Sequence, residues 1–445
     1  MRISLALTSL ATVLAAVVAY GTHPAWAQYR YGLGLILFSR QVQWPALFLS
    51  LGAALAVVAL VIAGKQKAWW LVGLAPVMTL FAHRFATDPT AGMASVEDPV
   101  FVRAGDATFL GDDDFVVGLT FGGKAYAYPY AALYSTPVVI HAQHDKRILL
   151  MWSPTANRAV ATTVKREMRA RHLDVVSTPA NALLVYDTAR AQFINGITGL
   201  TPRGARPPAF LVPVPTSKMP WRQWRSLHAE TVVMVPTGRL AAKAPRQPLL
   251  PACPMPRGAG GESPQTPVVV VGTTSPAAVA SQDLNAAPLN LTADGVPVLA
   301  FREGRGRSVR AFARRVDDLS PRFRANRDAA RAAKGVVFVD TDTDTGWDAD
   351  GVAVDAKKEY RHRRLAPVVV EDGLYWGVMK YWYPDLELAA VEAPPVEAEA
   401  TAARSAPATA PAARGKIGVG RREKVVRGDK AVPPRRRAAK QARAD

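Results

Sequence analysis

Hydrophobic positions crowd the first 85 residues, run in short bursts through the middle of the chain and thin out after Ala390. Residues 3 to 20 form an apolar run behind Arg2. Trp44 to Gly64 has no charge over the roughly 20 residues a helix needs to cross a bilayer. A third run, Ala68 to Ala82, opens on the interfacial pair Trp69-Trp70, contains Pro76 and ends at His83-Arg84. The pattern predicts two or three transmembrane helices. Residues 1–27 read as a signal peptide or first transmembrane helix, and 28–86 as membrane segments at about 44–64 and 68–84. Ala25-Trp26-Ala27 before Gln28 has the small-x-small form of a signal-peptidase site.

From Val100 the apolar runs shorten to three to seven residues broken by Gly, Asp and Pro, which is the rhythm of strands. Strands are expected at 115–119, 124–128, 138–141, 148–152, 183–186, 231–235, 268–271, 336–339 and 368–370. Helix is expected at 158–171, at Trp221 to His228 and in the Arg-rich 322–334. The predicted fold class is mainly β with short helices (α+β): a tandem-duplicated β-rich domain behind the membrane helices. A first repeat is placed at 87–247, a Pro/Gly linker at 248–266 and a second repeat at 267–392. The landmarks recur in order. Val185-Tyr186-Asp187 is followed by Phe193 and Trp221-x-x-Trp224; Val339-Asp340 is followed by Trp347 and Trp376-x-x-Met379. Gly123-x-x-x-Ala127 pairs with Gly295-x-x-x-Leu299 upstream.

Charge adds a location. Lys65 and Lys67 lie between the second and third apolar runs, so the positive-inside rule puts that loop in the cytoplasm. Residue 86 onward then lies on the periplasmic or extracellular side of a bacterial inner (cytoplasmic) membrane, whether or not the first segment is cleaved. The net charge of +19 is concentrated in the tail: from Arg404 onward, thirteen Lys/Arg stand against three acidic residues. Residues 393–445 are therefore expected to be a disordered basic tail. Its partners would be membrane lipid headgroups or anionic envelope polymers met through 404–445, with no nucleic acid expected. The single cysteine, Cys253, excludes an internal disulfide or a CxxC pair.

Several segments carry a resemblance. Asp112-Asp113-Asp114 with Val116-Val117-Gly118, Gly123-Lys-Ala-Tyr-Ala-Tyr-Pro129, Val138-Val139, Leu183 to Asp187 and Trp221-Arg-Gln-Trp224 resemble a bacterial and archaeal family, the domain of unknown function 3179 (DUF3179). Trp376 to Leu388 is similar to that family's closing motif, so the resemblance covers about 112–390. The resemblance implies a Tyr-Cys-Pro-x-Cys-Gly element; here the equivalent stretch is Trp152-Ser153-Pro154-Thr155-Ala156-Asn157, without either cysteine. Ser and Ala supply no thiolate, so thiol exchange and soft-metal binding at that loop are lost.

Four further constellations bear on chemistry. His141, His144 and Asp145 form a short His-x-x-His-Asp element that could contribute to a zinc site or equally be surface histidines on a turn. Asp340, Asp342 and Asp344 begin an alternating acidic run through Gly351 that suits calcium, although it departs from the EF-hand spacing and also fits a solvated hairpin. Ser153, His141 and Asp145 lack the nucleophile-elbow context of a hydrolase triad. Tyr126, Tyr128, Trp221, Trp224, Trp376, Trp382 and Tyr383 are large aromatics that would either pack the core or line a groove, and Tyr128, Asp187, Trp221 and Trp224 mark a ligand cleft between the repeats. No catalytic residue or cofactor is assigned. The expected function is a non-catalytic, membrane-anchored binding or structural module of the envelope. The alternative is an enzyme or a ligand- or metal-binding protein with its site between the repeats. A transporter is disfavoured because the spans carry no intramembrane charge.

Overall fold

In the computed structural model the described residues are 2–87, 90, 92–143, 145–237, 244–249, 262–303 and 308–389. The tail at 393–445, Cys253 with most of the 248–266 linker, and His144 lie outside them.

Helices α1 (Arg2–Tyr20) and α2 (Gly32–Ile62) are long and apolar enough to cross a membrane. The third apolar run forms a 3-10 turn, Ala68–Leu74, leading into α3 (Ala75–Thr87). Small residues let the three approach closely: Ala11, Ala15, Ala53 and Val77 are buried together, and Ser50 Oγ donates to the Ala11 carbonyl at 2.9 Å. Large apolar side chains face outward instead, among them Phe48, Leu55 and Ile62. This is the inverse of a water-soluble bundle and is consistent with membrane anchoring.

At one end the bundle is tied to the β-rich domain. Ser177 Oγ donates to the Thr22 carbonyl at 2.6 Å, and Arg40 pairs with Asp174 at 2.7 Å. Ile36 packs with Val176, Leu184 and Phe193.

The first half of that domain runs β1 (Ser95–Glu97), β2 (Phe101–Arg103), β3 (Phe115–Phe121), β4 (Lys124–Pro129), α4 (Tyr130–Leu133), β5 (Val138–Gln143), β6 (Lys146–Ser153), β7 (Arg158–Val164), β8 (Leu173–Ser177), β9 (Leu184–Asp187), β10 (Gln192–Asn195), β11 (Phe210–Val214), β12 (Thr216–Pro220), α5 (Trp221–Leu227) and β13 (Val232–Met234). The second half runs β14 (Pro267–Val271), β15 (Ala277–Ala280), β16 (Leu289–Ala293), β17 (Val296–Glu303), β18 (Ser308–Ala313), β19 (Phe323–Ala325), α6 (Ala329–Ala332), β20 (Phe338–Asp340), β21 (Gly346–Trp347), β22 (Ala353–Asp355), β23 (Val370–Tyr375) and α7 (Trp376–Trp382).

The two halves are built in the same layers. In the first, the sheet β12-β3-β4-β13-β2 faces the sheet β1-β5-β6-β7-β11, burying Leu119, Tyr128, Ile148, Leu150 and Trp152 between them. Period-two alternation then sends Val138, Ile140, Leu149 and Met151 to the far side, onto the small sheet β10-β9-β8. In the second half β23-β14-β15 faces β16-β17-β18, whose far side meets β19-β20-β21-β22. The pairing directions also agree. β12 is antiparallel to β3 and β13 parallel to β4, while β23 is antiparallel to β14 and Leu388 bridges Ala278 of β15 in parallel.

Two helix expectations are corrected. Residues 158–171 form β7 and a 3-10 turn at Ala170–His172, because Arg158-Ala-Val-Ala-Thr-Thr-Val164 is rich in β-branched residues and both of its edges are paired, by β6 and β11. In 322–334 the arginines mislead: β19 pairs with β20, and only the single turn α6 is helical, N-capped by Asp328. The last expected strand, 368–370, shifts, since β23 begins at Val370 rather than ending there.

Candidate functional site

Three buried charges meet where the halves join. Arg158 opens β7 immediately after the 152–157 loop, Lys218 sits mid-way along β12, and Glu371 lies on β23 just before a bulge at Asp372 and Gly373. The register shift, with Gly373 at φ +71°, lets the Val368-Val369-Val370 run deliver a carboxylate to the seam. Arg158 Nη1 is 3.3 Å from Glu371 Oε1 and Lys218 Nζ is 3.2 Å from Oε2, with all three side chains no more than 4 % exposed. Thr216 Oγ1 donates to Glu371 Oε1 at 3.3 Å. Lys218 also donates to the Asn157 carbonyl, and Arg158 Nε to that of Ile197 at 3.2 Å. Burial pulls the Lys218 ammonium below its ordinary pKa, with Glu371 opposing and Arg158 reinforcing that shift.

The loop before Arg158 belongs to the same seam. Asn157 has φ +51°, the left-handed conformation that favours glycine. Its amide accepts from Tyr130 Oη at 2.6 Å and donates to the Gly373 carbonyl at 3.2 Å, linking the halves. Burial, aided by Glu371, drives the Tyr130 phenol well above its usual pKa, so it stays a donor. Ser153 is fully buried and accepts from the Leu183 amide at 2.9 Å, while Ala156 packs with Val268, Leu374 and Trp376 of the second half.

Beside this cluster a cleft of about 680 Å³ opens between the halves, lined by Asn157, Lys218, Arg222, Arg302, Asp372 and Tyr375 among others. A neighbouring one, about 460 Å³, has Trp224 and His228 in its lining and shares Lys218 and Asp372. Arg302 holds Asp372 at 2.5 Å.

The fold is thus that of a β-rich domain behind two long apolar helices, with a charged seam among its described residues. A family model described as protein of unknown function (DUF3179) matches residues 90–386. The chain belongs to the DUF3179 family. No curated protein and no solved structure matches it. The matched span includes both halves and every residue of the seam. Within this DUF3179 chain, Asn157, where the sequence resemblance implies a glycine, adopts the backbone that glycine would favour.

The residues singled out from sequence fall in different places. His141 is buried, 2.6 Å from Tyr128 Oη through Nε2, inside a ring cluster with Phe101 and Tyr126. Asp145 is exposed and turns the β5–β6 hairpin. His141 pairs with Ile148, five residues along β6 from Ser153, about 17 Å at strand rise, so the hydrolase triad is not brought together.

The acidic run spends its carboxylates locally. Asp340 accepts from the Thr343 amide at 2.6 Å and from Trp347 Nε1 at 3.1 Å, Asp342 accepts from Thr341 Oγ1 at 3.2 Å, and Asp344 pairs with Arg331 at 2.6 Å. Among the described residues no group of three His, Cys, Asp or Glu is placed to hold a metal ion. Asp187 likewise caps its hairpin, accepting from the Ala189 amide at 3.0 Å and pairing with Arg190. Trp221 is packed under the first half with Val116 and Met219. Of the cleft candidates, Trp224 alone lines the clefts described above, while Tyr128 is core.

Trp224 is fixed from three sides. Its Nε1 donates to Thr231 Oγ1 at 2.9 Å, its ring lies 4.1 Å from that of His228, and it covers Gly118, where a Cβ would sit 2.4 Å from ring carbons. Gly118→Ala is therefore expected to destabilise the domain by about 1–3 kcal/mol, read from the urea midpoint, because the indole has no direction in which to yield. An unchanged midpoint would mean that the ring is not locked.

Sequence reading missed Arg158, Lys218 and Glu371. A usable signal existed: each is a charge inside or at the end of a strand pattern, and such a residue, once buried, needs a partner.

Proposed function

We propose that this DUF3179 protein is a membrane-anchored envelope protein whose domain stands on the outer face of the cytoplasmic membrane as a non-catalytic binding or structural module. The observation that carries the reading is the use of the 152–158 loop: Ser153, Asn157 and Arg158 are all engaged in holding chain segments together. A reactive loop would leave such groups free to meet a substrate. Anchorage is supported by the helix bundle, whose one end docks on the domain through Thr22 and Arg40, while Lys65 and Lys67 mark the other. Contacts of Ala11 and Thr22 with later segments favour retention of α1 over signal cleavage.

The domain reads as a tandem duplication of 87–247 and 267–392. The shared strand order and the shared use of Asp187 and Asp340, each accepting amides two and three residues on, support it. In this register the hairpin β3–β4 corresponds to β14–β15, and Gly295 turns a different hairpin from Gly123. The basic residues 404–445 would meet anionic headgroups or envelope polymers.

Side is tested with single cysteines in a Cys253→Ser background. Asp145→Cys should react with a membrane-impermeant maleimide in intact spheroplasts, and Gln66→Cys only after permeabilisation. The opposite pattern would reverse the orientation. A second reading, ligand binding between the halves, is favoured by the cleft of about 680 Å³ at Lys218.

A further inference from the structure

We infer that the cleft beside Lys218 is a binding site for a small organic anion, a carboxylate or phosphate carried on an apolar body. The inference rests on the reading of the domain as a binding module and names its ligand class.

Charge in the seam is unbalanced. Arg158 and Lys218 share one carboxylate, Glu371, in a setting where none is more than 4 % exposed. Asp372, the next acid along, is already held by Arg302 at 2.5 Å. Among these described groups the seam carries one more cation than anion, and an unbalanced charge out of water is costly. An anion entering the cleft would complete the balance at Lys218, which lines it.

The cleft volume of about 680 Å³ is in the range of small-molecule sites, and it lies where two similar units meet. Its charged lining residues are Lys218, Arg222 and Arg302 against the single carboxylate Asp372. Arg222 is 63 % exposed and pairs with Asp113, itself 75 % exposed, so its guanidinium can turn toward a ligand at little cost. Phe115, Met219, Pro220, Pro267 and Tyr375 supply apolar surface on the same walls. Cationic and apolar side chains on one lining describe an organic acid rather than a bare inorganic ion.

The neighbouring cleft makes a useful contrast. It shares Lys218 but is lined by Asp350, Glu371 and Asp372 against Lys218 and Arg310, with His228 at its edge. Its three acids outnumber its two fixed cations, so an anion is directed to the other side of Lys218.

The experiment is a thermal-shift and calorimetric titration of the full chain in detergent, at fixed ionic strength, with benzoate, its uncharged isostere benzamide, and inorganic phosphate. Benzoate is expected to raise the unfolding temperature and benzamide to do so at least tenfold less effectively by concentration. Arg222→Gln, at an exposed position, should weaken benzoate several-fold, and Lys218→Met should abolish its effect. Phosphate acting as well as benzoate would keep the anion site and remove the apolar wall from it. Equal binding of benzoate and benzamide would overturn the anion assignment while leaving a binding module. Binding of benzoate unaltered by both variants, or no binding by any of the three probes, would overturn the site itself.

Discussion

Glu371→Gln is expected to destabilise the domain by about 3–5 kcal/mol, the usual cost of stranding buried charge by removing its partner. The glutamine keeps the shape and can still accept from Thr216, but it leaves Arg158 and Lys218 facing each other across the seam without a carboxylate. Lys218→Met should be milder, about 1–3 kcal/mol, because Arg158 and Glu371 remain as a matched pair and the main loss is the bond to the Asn157 carbonyl. The order of the two variants is the informative result. Urea midpoints in which Glu371→Gln is no worse than Lys218→Met would mean that the halves are held by their apolar contacts and not by this charge. Adding Lys218→Met to Glu371→Gln should recover part of the loss, since one of the two stranded cations is then gone.

The second large effect is on acid stability. Burial lowers the pKa of His141 from 6.5 to about 4; the Ala142 backbone and Asp98 oppose this, and Arg147 and Lys124 reinforce it. The unfolded chain takes up a proton near pH 6.5, whereas the folded chain takes it up only near 4. Stability from the neutral imidazole is therefore fully present above pH 6.5 and is lost as the pH falls from 6.5 to about 4. At about 1.4 kcal/mol per pH unit the loss approaches 3 kcal/mol.

His141→Gln should flatten this slope, since glutamine does not titrate and can still meet Tyr128 Oη. Equal acid sensitivity in both proteins would assign the slope to other groups. Glu97 is separable from it. Burial raises its pKa, but the Ala170 amide and the guanidiniums of Arg147 and Arg169 outweigh that and hold it below the usual 4.5. Its contribution is lost only as the pH falls through and below the ordinary carboxylate range.

Much of the molecule was readable from residue order. The apolar runs predicted α1 and α2 because a segment that must satisfy its backbone inside lipid has few options but a long uncharged helix. Period-two bursts located most central strands, and the DUF3179 resemblance anticipated the matched family. Reading failed at 158–171 and 322–334, where Ala and Arg suggested helix while strand partners tens of residues away or across a hairpin decided otherwise.

Local pattern by itself determined that the chain has long apolar N-terminal helices, a β-rich body, a basic tail composition and a single cysteine. The tertiary structure alone decided which charges became buried together. Arg158, Lys218 and Glu371 are separated by 60 and 153 positions (218 − 158 and 371 − 218), and only the meeting of β12 with β23 makes them neighbours. The same reason removed Tyr128, Trp221 and Asp187 from the cleft: whether an aromatic or a carboxylate faces a cavity or a core depends on what packs against its element, a property of the assembled layers and not of the residue's own segment.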